Sequence, residues 1–298
     1  MGKADWIAAD WGAKHLRLWA MRDADVIAAR QSDQGAADLT QDQFAQVLAQ
    51  ETADWRAGDW AEAPVVACGE VGGRQGWVEA PYSLVPTKAQ GPLIQVRGQR
   101  VWIACGMRQE DPSDVMRGEE TQIAGLLAAR PKFDGVVCLL GAQSKWARIS
   151  AEELCHFQSF MTAELYAFLV QQSALAPSLA TQSEALDEVA FDRAVEEALA
   201  QPHRAYGRLF QLRAGELLGA MTAKAAASRL SGLLIGWELA SAKPYWLGEE
   251  VVLIGAPEQM RRYARALTAQ GVTTREADAE AVMLAGLHRA WKSLASTA

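Results

Sequence analysis

One pattern occurs twice in this chain, and it constrains the possible folds more than any other feature. An apolar run over residues 6–9 leads into a turn at Asp10 and Gly12, after which apolar residues alternate with polar ones. This order is typical of a strand, a tight turn and a second strand. A third short strand is predicted over residues 25–30, and a helix over 39–55.

The same order of elements returns about 130 residues further on. A continuous apolar run over 135–140 precedes a turn at 141–145, a strand over 146–149, an extended piece over 154–160 and a helix over 162–171. Self-similarity at this spacing indicates a duplicated domain rather than a solenoid of short repeats. The prediction is an α/β chain in which helices pack on a mixed sheet in each half.

The chain has 298 residues, which is enough for two domains with sizeable cores. We expect a first domain over residues 1–112 and a second over 113–298. The predicted C-terminal helix, 279–298, is a candidate to pack on the first domain. Strands, a glycine turn and a further helix are predicted between residues 251 and 278.

Charge and composition exclude several classes of partner. The net charge is −7, and Lys and Arg form no cluster longer than a pair, so nucleic acid and anionic membranes are not expected partners. The four cysteines and four histidines are dispersed, which predicts free thiols in a reducing cytoplasm and no zinc site. No apolar run reaches the length of a membrane span, and residue 1 is not followed by a signal-peptide core.

The first turn has the chemistry of a phosphate and metal site. Gly12 lets the backbone approach a bulky anion, and the Asp10 carboxylate would face a hard cation such as Mg²⁺ carried by that anion. A surface hairpin with no ligand explains the same residues equally well.

Two further segments carry polar groups that fit an anionic ligand. The loop over residues 69–77 holds four glycines together with Arg74 and Gln75, and is either a mobile ligand-binding loop or a plain connector. Arg117 precedes Glu119 and Glu120 at a predicted helix start. The acids are explained by a solvated helix start, whereas Arg117 is a candidate to hold a carboxylate or phosphate.

Small residues line one side of a predicted helix over residues 228–240. Ser231, Gly232 and Gly236 allow either close helix packing or the approach of a flat ring, and packing is the commoner explanation. A strand over 251–254 then ends in Gly255, a further turn suited to a phosphate or nucleoside.

At this level of detail the chain resembles a known family, the 2-dehydro-3-deoxygalactonokinases, sugar-acid kinases of the actin/hexokinase/heat-shock-ATPase superfamily. The matching strings are Asp10–Gly12 with Leu16–Arg17, Val71–Gly72 with Gly76–Trp77 and Ala80–Tyr82, Val115–Gln122, Ser144–Trp146, Met161–Thr162 with Glu164–Leu165, and Leu230–Gly236. The string around Arg117 and the one around Gly232 are long enough to be specific.

The resemblance implies two ribonuclease-H-like domains of the α/β class, each with a mixed five-stranded sheet flanked by helices, and a cleft between them. It also implies transfer of the ATP γ-phosphate, with Mg²⁺, to the primary hydroxyl of 2-dehydro-3-deoxy-D-galactonate. The product would be the 6-phosphate, made in the cytoplasm during D-galactonate catabolism. A homodimer is left open.

The resemblance also implies roles for individual residues. The catalytic candidates are Asp10, which would orient Mg²⁺, Glu119 as the general base, and Arg117. The predicted nucleotide-binding residues are Gly12 and Lys14 in the first turn, Gly141, Ser144 and Lys145 in the second, and Gly232, Gly236 and Gly255 beside the adenine or ribose. The predicted substrate-binding residues are Gly72, Gly73, Arg74, Gln75, Trp77 and Arg117.

The chain departs from the family pattern at its phosphate turns. Family members usually carry hydroxyl residues and an asparagine where this chain has residues 13–15, and proline–glycine–threonine–histidine where it has residues 140–143. The third turn has Ala256 in place of a small polar residue. Two alternatives to the kinase therefore stay open: a non-catalytic sugar-acid sensor or partner protein on the same fold, and a kinase for a related sugar acid.

Overall fold

The computed structural model describes residues 5–56, 62–180 and 185–295. The chain divides into two compact units, of which the first comprises Met1–Asp134, Ile149–Phe157 and Ala277–Ala298, and the second Gly135–Arg148 and Gln158–Glu276. The elements up to the first change of unit are β1 (Trp6–Trp11), β2 (Leu16–Arg22), β3 (Asp25–Ser32), α1 (Gln43–Glu51), α2 (Ala53–Arg56), β4 (Val65–Cys68), β5 (Tyr82–Leu84), β6 (Thr87–Lys88), β7 (Leu93–Gln95), β8 (Val101–Ala104), β9 (Gly106–Glu110), β10 (Ser113–Met116) and α3 (Glu119–Ala129).

The remaining elements are β11 (Gly135–Leu140), β12 (Ser144–Ser150), β13 (Glu153–Phe160), α4 (Thr162–Gln172), α5 (Ala176–Leu179), α6 (Glu188–Ala200), α7 (Ala205–Leu217), α8 (Ala223–Ser241), α9 (Lys243–Trp246), β14 (Val251–Gly255), α10 (Pro257–Thr268), β15 (Thr274–Ala277) and α11 (Ala279–Ala295). No helix in the described part of the chain is both long and apolar enough to cross a lipid bilayer.

The first unit is built on a mixed sheet in the order β3-β2-β1-β4-β8-β7. Strand β1 pairs antiparallel with β2, with Asp10 opposite Arg17, and parallel with β4, with Asp10 opposite Cys68. Strands β4 and β8 are also parallel. The carboxyl ends of β1, β4 and β8 therefore meet at one edge of the sheet, where ligands of open α/β sheets commonly bind.

Both faces of this sheet are covered by apolar side chains. Trp11 and Phe44 belong to the core on one face, and Trp6 packs with Met283 and Leu287 of α11 on the other. Helix α11 also packs closely on α3, because Gly286 brings its backbone against Thr121. This packing explains why the C-terminal helix groups with the first unit.

The second unit repeats the arrangement. Its strands include, in order, β15-β14-β11-β12, and β11 is parallel to β14 with Leu140 opposite Gly255. Helix α8 is buried along most of its length and packs on α6, and Ile235 and Leu239 of α8 belong to the same apolar cluster as residues of β11 and β14. The prediction of an α/β chain with a mixed sheet in each half is thus confirmed.

One detail of the prediction is wrong. Among the described residues the first sheet has six strands rather than five, because β7 pairs with β8 at its edge. The first change of unit falls after Asp134, whereas the predicted domain boundary follows residue 112, and α3 packs on α11 within the first unit. The small sheet β10-β9-β5 also belongs to the first unit.

Candidate functional site

Asp10 lies at the carboxyl end of β1 and is held by Arg17 from the neighbouring strand. Both Nε, at 3.1 Å, and Nη2 of Arg17 donate to Asp10 Oδ2. The other oxygen, Oδ1, lies 4.0 Å from the Cys68 thiol. Burial and the Asp10 charge raise the pKa of Cys68 well above its usual value, so this thiol stays protonated. Asp10 therefore keeps a fixed orientation and one oxygen that no cation occupies.

The turn after β1 offers backbone donors to an anion. The Gly12 N–H closes the turn by donating to the His15 carbonyl at 3.0 Å, so it is not itself free for a ligand. The N–H groups of Ala13 and Lys14 are exposed and donate to no described atom. Successive unpaired N–H groups in a turn form a concave anion site.

Residues after β3 support this turn from behind. The N–H of Ala36 donates to the Gly12 carbonyl at 2.9 Å, and that of Ala37 to the Ala13 carbonyl at 3.0 Å. Any side chain larger than hydrogen at Gly35 would collide with the backbone of Ala13 and Lys14. The turn is therefore braced in one conformation.

Arg117 is the most unusual charged residue of the first unit. Its side chain is buried, its Nη2 donates to the Ala80 carbonyl at 2.9 Å, and its guanidinium carbon lies 4.1 Å from the centre of the Tyr82 ring. Its Nε and Nη1 donate to no described atom. A buried guanidinium without a carboxylate costs folding free energy, because a desolvated charge needs a partner.

Gly72 lies directly beside this guanidinium. A Cβ on Gly72 would lie 3.1 Å from Arg117 Nη1 and 2.8 Å from the Ile103 side chain. Glycine at this position avoids a contact with the guanidinium, whose Nε and Nη1 are both buried. The geometry suits a planar anion, because a guanidinium donates two parallel hydrogen bonds to a carboxylate.

The two glutamates after Arg117 are used within the helix start. Glu119 Oε2 accepts from the Arg117 N–H at 2.9 Å, and Glu120 Oε2 accepts from the Gly118 N–H at 2.6 Å. Burial, and then the charge of Glu119, raise the pKa of Glu120 to about 8. Gly118, at φ 107°, turns the chain sharply into α3 and lies against Gly69, at φ 92°, after β4.

The loop over residues 69–77 is held by backbone hydrogen bonds of its own, and its role in ligand binding stays a prediction. Its backbone closes on itself through bonds such as Gly76 N–H to Gly73 O at 2.9 Å and Trp77 N–H to Val71 O at 2.8 Å. The Trp77 ring stacks on Phe44 in the core, which contradicts its predicted contact with substrate.

The remaining polar residues of this loop face solvent. Arg74 is 89% exposed and only loosely paired with Glu79, at 3.8 Å. Gln75 is exposed as well, whereas Gly73 is buried against Glu70. Of the predicted substrate residues, Gly72 and Arg117 are adjacent, while Arg74 and Gln75 are available to a ligand.

The second unit has a turn of the same kind between β11 and β12. The Gly141 N–H donates to the Gln143 carbonyl at 3.2 Å, and the exposed N–H groups of Ala142 and Gln143 donate to no described atom. The Ala142 carbonyl accepts from the Glu164 N–H at 3.2 Å, and the Gly141 carbonyl accepts from the Gln259 amide at 3.3 Å. The turn is braced from two sides.

Two predicted phosphate ligands of this turn point elsewhere. The Ser144 hydroxyl is buried and donates to Glu238 at 2.7 Å, and the buried Lys145 ammonium donates to Ser159 at 2.8 Å. Both groups are thus hydrogen-bonded to neighbouring side chains, and their contacts with phosphate stay a prediction.

The three predicted nucleotide glycines are explained by packing instead. A Cβ on Gly236 would lie 2.6 Å from the Val195 carbonyl of α6, and Gly232 meets the Phe191 carbonyl in the same way. Gly255 is pressed against Leu140 of the neighbouring strand. The Cβ side of each glycine is therefore occupied by packing, and contacts of these glycines with adenine or ribose stay a prediction.

A cavity of about 290 Å³ opens beside the second turn. Its walls come from the ends of β11 and β12, from α4, α8 and α10, and are formed by Leu140, Gly141, Ser144, Thr162, Ala163, Tyr166, Ser231, Leu234, Ile235, Glu258, Gln259, Arg262 and Tyr263. Its volume and mainly apolar walls suit a flat organic ring with few polar groups.

Glu238 lies buried behind this cavity. Its carboxylate accepts hydrogen bonds from the Ser144 hydroxyl, the Thr162 hydroxyl, the Tyr263 hydroxyl at 2.8 Å and the Trp146 indole at 2.8 Å. Burial raises the pKa of Glu238, and these hydrogen bonds oppose the rise. One side chain thus joins β12, α4 and α10.

No cluster of three or more His, Cys, Asp or Glu side chains that could hold a metal occurs in the described ranges. A single carboxylate is still compatible with Mg²⁺, which usually keeps several waters and takes its other ligands from substrate phosphates. Asp10 Oδ1 fits that limited role, because Arg17 occupies only Oδ2.

Comparison with known proteins decides the family. The model of the family described as 2-keto-3-deoxy-galactonokinase matches residues 10–290. The chain belongs to this family. Over 95% of its length it is 33% identical to the 2-dehydro-3-deoxygalactonokinase of Escherichia coli (strain K12), of which 96% is covered. A Rhizobium meliloti protein named as a probable 2-dehydro-3-deoxygalactonokinase is 34% identical, with 96% of each chain covered.

A solved structure agrees with this assignment. The crystal structure of a candidate 2-dehydro-3-deoxygalactonokinase from Sinorhizobium meliloti superposes with a TM-score of 0.89 at 34% identity, covering 97% of this chain and 99% of that one. The prediction of the family and of the carbohydrate-kinase class is therefore confirmed.

Sequence reasoning missed several residues around these sites. Glu238 is the one acidic residue in an otherwise apolar stretch of α8, which is a signal for a buried polar function. Tyr82 and Arg17 gave no such signal, since their partners Arg117 and Asp10 are recognisable only in the folded chain.

Proposed function

We propose that this 2-keto-3-deoxy-galactonokinase family member transfers the γ-phosphate of ATP to the primary hydroxyl of 2-dehydro-3-deoxy-D-galactonate. The product is the 6-phosphate, an intermediate of D-galactonate catabolism in the cytoplasm. The observation that carries the proposal is the buried Arg117 guanidinium, two of whose nitrogens have no hydrogen-bond acceptor among the described residues. A sugar acid brings the carboxylate that this group lacks.

On the sugar side, Arg117 binds the substrate carboxylate through Nε and Nη1. Tyr82 supports the guanidinium plane from one side and the Ala80 carbonyl fixes its rotation, so little freedom is lost when the anion binds. The exposed side chains of Arg74 and Gln75 supply further donors for the carboxylate or the hydroxyls.

On the nucleotide side, backbone donors replace the side-chain donors that are usual at these turns. The N–H groups of Ala13 and Lys14 are the proposed phosphate donors of the first unit, and those of Ala142 and Gln143 are the proposed donors of the second. The exposed Lys14 ammonium adds a point charge for phosphate. The cavity beside the second turn receives the nucleoside.

Asp10 would hold Mg²⁺ or its water shell, and the ion would neutralise charge on the transferred phosphoryl group. Glu119 is the proposed general base, being a half-buried carboxylate two residues from the proposed carboxylate ligand Arg117. Its oxygen Oε2 accepts from the Arg117 N–H at 2.9 Å, which orients the side chain, and the carboxylate is proposed to accept the hydroxyl proton.

A non-catalytic sugar-acid sensor is the rival function. It is suggested by the altered residues at the phosphate turns, which remove hydroxyl and imidazole donors. The unpaired backbone donors at both turns favour the kinase, because a sensor that binds only the sugar acid has no need of them.

The test is a coupled assay of ADP release with the purified protein, Mg-ATP and 2-dehydro-3-deoxy-D-galactonate. We expect turnover that Asp10→Asn reduces at least about 100-fold, the size of effect seen when one group that stabilises the transition state is lost. Asp54→Asn, which alters an exposed ion pair with Arg30, is the control and should retain full activity. If the wild type turns over no faster than Asp10→Asn, the proposed kinase activity is refuted.

Two further measurements separate the alternatives. Calorimetric titration that finds sugar-acid binding without Mg-ATP binding would favour the sensor. A panel of related sugar acids tests the substrate, and phosphorus NMR of the product tests whether the phosphate is on the 6-hydroxyl.

A further inference from the structure

Three residues that line the cavity beside the second turn carry hydroxyl groups, and all three hydroxyls face the same buried carboxylate. They belong to Ser144, Thr162 and Tyr263, and each donates its hydrogen bond to Glu238 Oε2. The fourth partner, the Trp146 indole N–H, occupies Oε1. An indole N–H can only donate, and the four hydrogen bonds to Glu238 favour its ionised carboxylate, which can only accept.

The proton of each hydroxyl is therefore committed to Glu238. A hydroxyl has one proton and two lone pairs, so its oxygen can offer the cavity only a lone pair. The wall formed by Ser144, Thr162 and Tyr263 is consequently a wall of acceptors. We call it the acceptor wall.

Two side chains with nitrogen donors also line the cavity, and both make hydrogen bonds to neighbouring groups. Arg262 Nε donates to Glu258 at 3.0 Å and its Nη1 to Ser231 at 3.2 Å, and Gln259 Nε2 donates to the Gly141 carbonyl at 3.3 Å. Leu234 and Ile235 supply apolar surface, which suits the face of a flat ring.

We propose that Glu238 is a specificity-determining residue that makes the cavity select a nucleoside base with an exocyclic amino group over one with a keto group. The inference rests on the proposed function and deepens it. An amino group donates to the acceptor wall. A keto oxygen in the same place would face other lone pairs, and desolvated acceptors without a donor are costly.

Adenosine and inosine triphosphates test this difference, because they carry an amino group and a keto oxygen, respectively, at purine position 6. They also differ at N1, which accepts in adenine and donates in hypoxanthine, so the pair compares opposite hydrogen-bonding edges. A site built to bond a donor rejects an analogue without it far more strongly than an apolar pocket rejects a missing methylene. We expect the wild type to bind ATP at least about 100-fold more tightly than ITP.

The experiment is calorimetric titration of the full chain with Mg-ATP, Mg-ITP and Mg-2′-deoxyATP. In Glu238→Gln one carboxylate oxygen becomes an amide that donates, so hydroxyls that lose their acceptor turn their protons toward the cavity. The ratio of ITP to ATP dissociation constants should then fall to about 10 or less. Glu196→Gln, an exposed change on α6, is the matched control and should keep the wild-type ratio.

Thr162→Val is a second variant that keeps the side-chain shape while removing one hydroxyl from the acceptor wall. Thr162→Val should weaken ATP binding and leave ITP binding unchanged, which also lowers the ratio of the ITP to the ATP dissociation constant. If circular dichroism shows that Glu238→Gln is unfolded, Thr162→Val is the variant that tests the inference.

Equal affinity of the wild type for ATP and ITP would overturn the inference, as would an unchanged ratio in both folded variants. A large loss with 2′-deoxyATP together with equal binding of ATP and ITP would mean that a ribose hydroxyl, not the base, meets the acceptor wall, and would overturn it too. If neither triphosphate binds while the sugar acid does, the proposed kinase function itself fails, which is a separate result.

Discussion

Replacing Arg117 by methionine should separate folding from function. The change keeps much of the side-chain volume but removes the buried guanidinium, whose Nε and Nη1 are unpaired. Each unpaired buried donor costs about 1–3 kcal/mol. The change also removes the bond to the Ala80 carbonyl, about 1.5–3 kcal/mol, and the contact with Tyr82, about 0.5–2 kcal/mol.

These contributions to the unfolding free energy nearly cancel. We therefore expect Arg117→Met without ligand to be as stable as the wild type, or more stable by about 1 kcal/mol. Activity, in contrast, should fall. Losing two charge-assisted hydrogen bonds to the substrate carboxylate removes about 4 kcal/mol of binding, so kcat/KM should fall about 1,000-fold.

Urea unfolding gives the stability, and the ADP-release assay gives kcat/KM. A third measurement is the rise in Tm on adding the sugar acid, which the wild type should show and the variant should not. Arg108→Met is the matched control, because this arginine is exposed and pairs with Glu110 at 2.8 Å. Its free energy of unfolding and its kcat/KM should both stay near those of the wild type. Destabilisation of Arg117→Met by more than about 3 kcal/mol would refute the reasoning, since that is the cost of breaking a buried charge pair that is satisfied in the native state.

Three further outcomes are expected. The pKa of Glu120 is raised from 4.5 to about 8, so between these pH values the carboxyl group is neutral in the folded protein and ionised in the unfolded chain. The free energy of unfolding should therefore fall by about 5 kcal/mol as the pH rises from 4.5 to 8. Urea unfolding across this pH range measures the fall, which Glu120→Gln should reduce. Gly236→Ala should destabilise the fold by about 1–3 kcal/mol, because its Cβ would meet the Val195 carbonyl. Gly207→Ala is the control and should be neutral or stabilising, because nothing lies within 4 Å of its Cβ. Equal changes in the free energy of unfolding for the two variants would contradict the packing argument. Gly35→Ala should displace the first phosphate turn and raise KM for ATP about tenfold or more with a smaller change for the sugar acid, and unaltered nucleotide kinetics would show that the turn does not bind phosphate.

The repeated strand and turn pattern was predictable because it depends on residues close together in the chain. Alternation and apolar runs define a strand by itself, and the strand predicted over 135–140 is observed as Gly135–Leu140. The predicted helix over 162–171 is likewise observed as Thr162–Gln172. Motif strings such as the one around Arg117 were sufficient to identify the family before any fold was known.

Sequence was least informative for residues whose role depends on distant neighbours. Trp77 lies in a glycine-rich loop that looks exposed in sequence, yet Phe44 provides a buried surface for its ring. Ser144 follows a phosphate turn, but its hydroxyl is directed to Glu238, which lies much later in the chain. Glycine spacing in α8 could not distinguish a ligand from α6 as the neighbouring surface.

The amino-acid sequence alone determined the α/β class, the duplication, the family and the segments that carry polar chemistry. Only the tertiary structure decided which groups are left without a partner, such as the guanidinium of Arg117, and which are consumed within the fold, such as Ser144 and Lys145. The physical reason is that secondary structure follows from local periodicity, whereas burial and hydrogen-bond satisfaction are set by residues that meet only when the chain has folded.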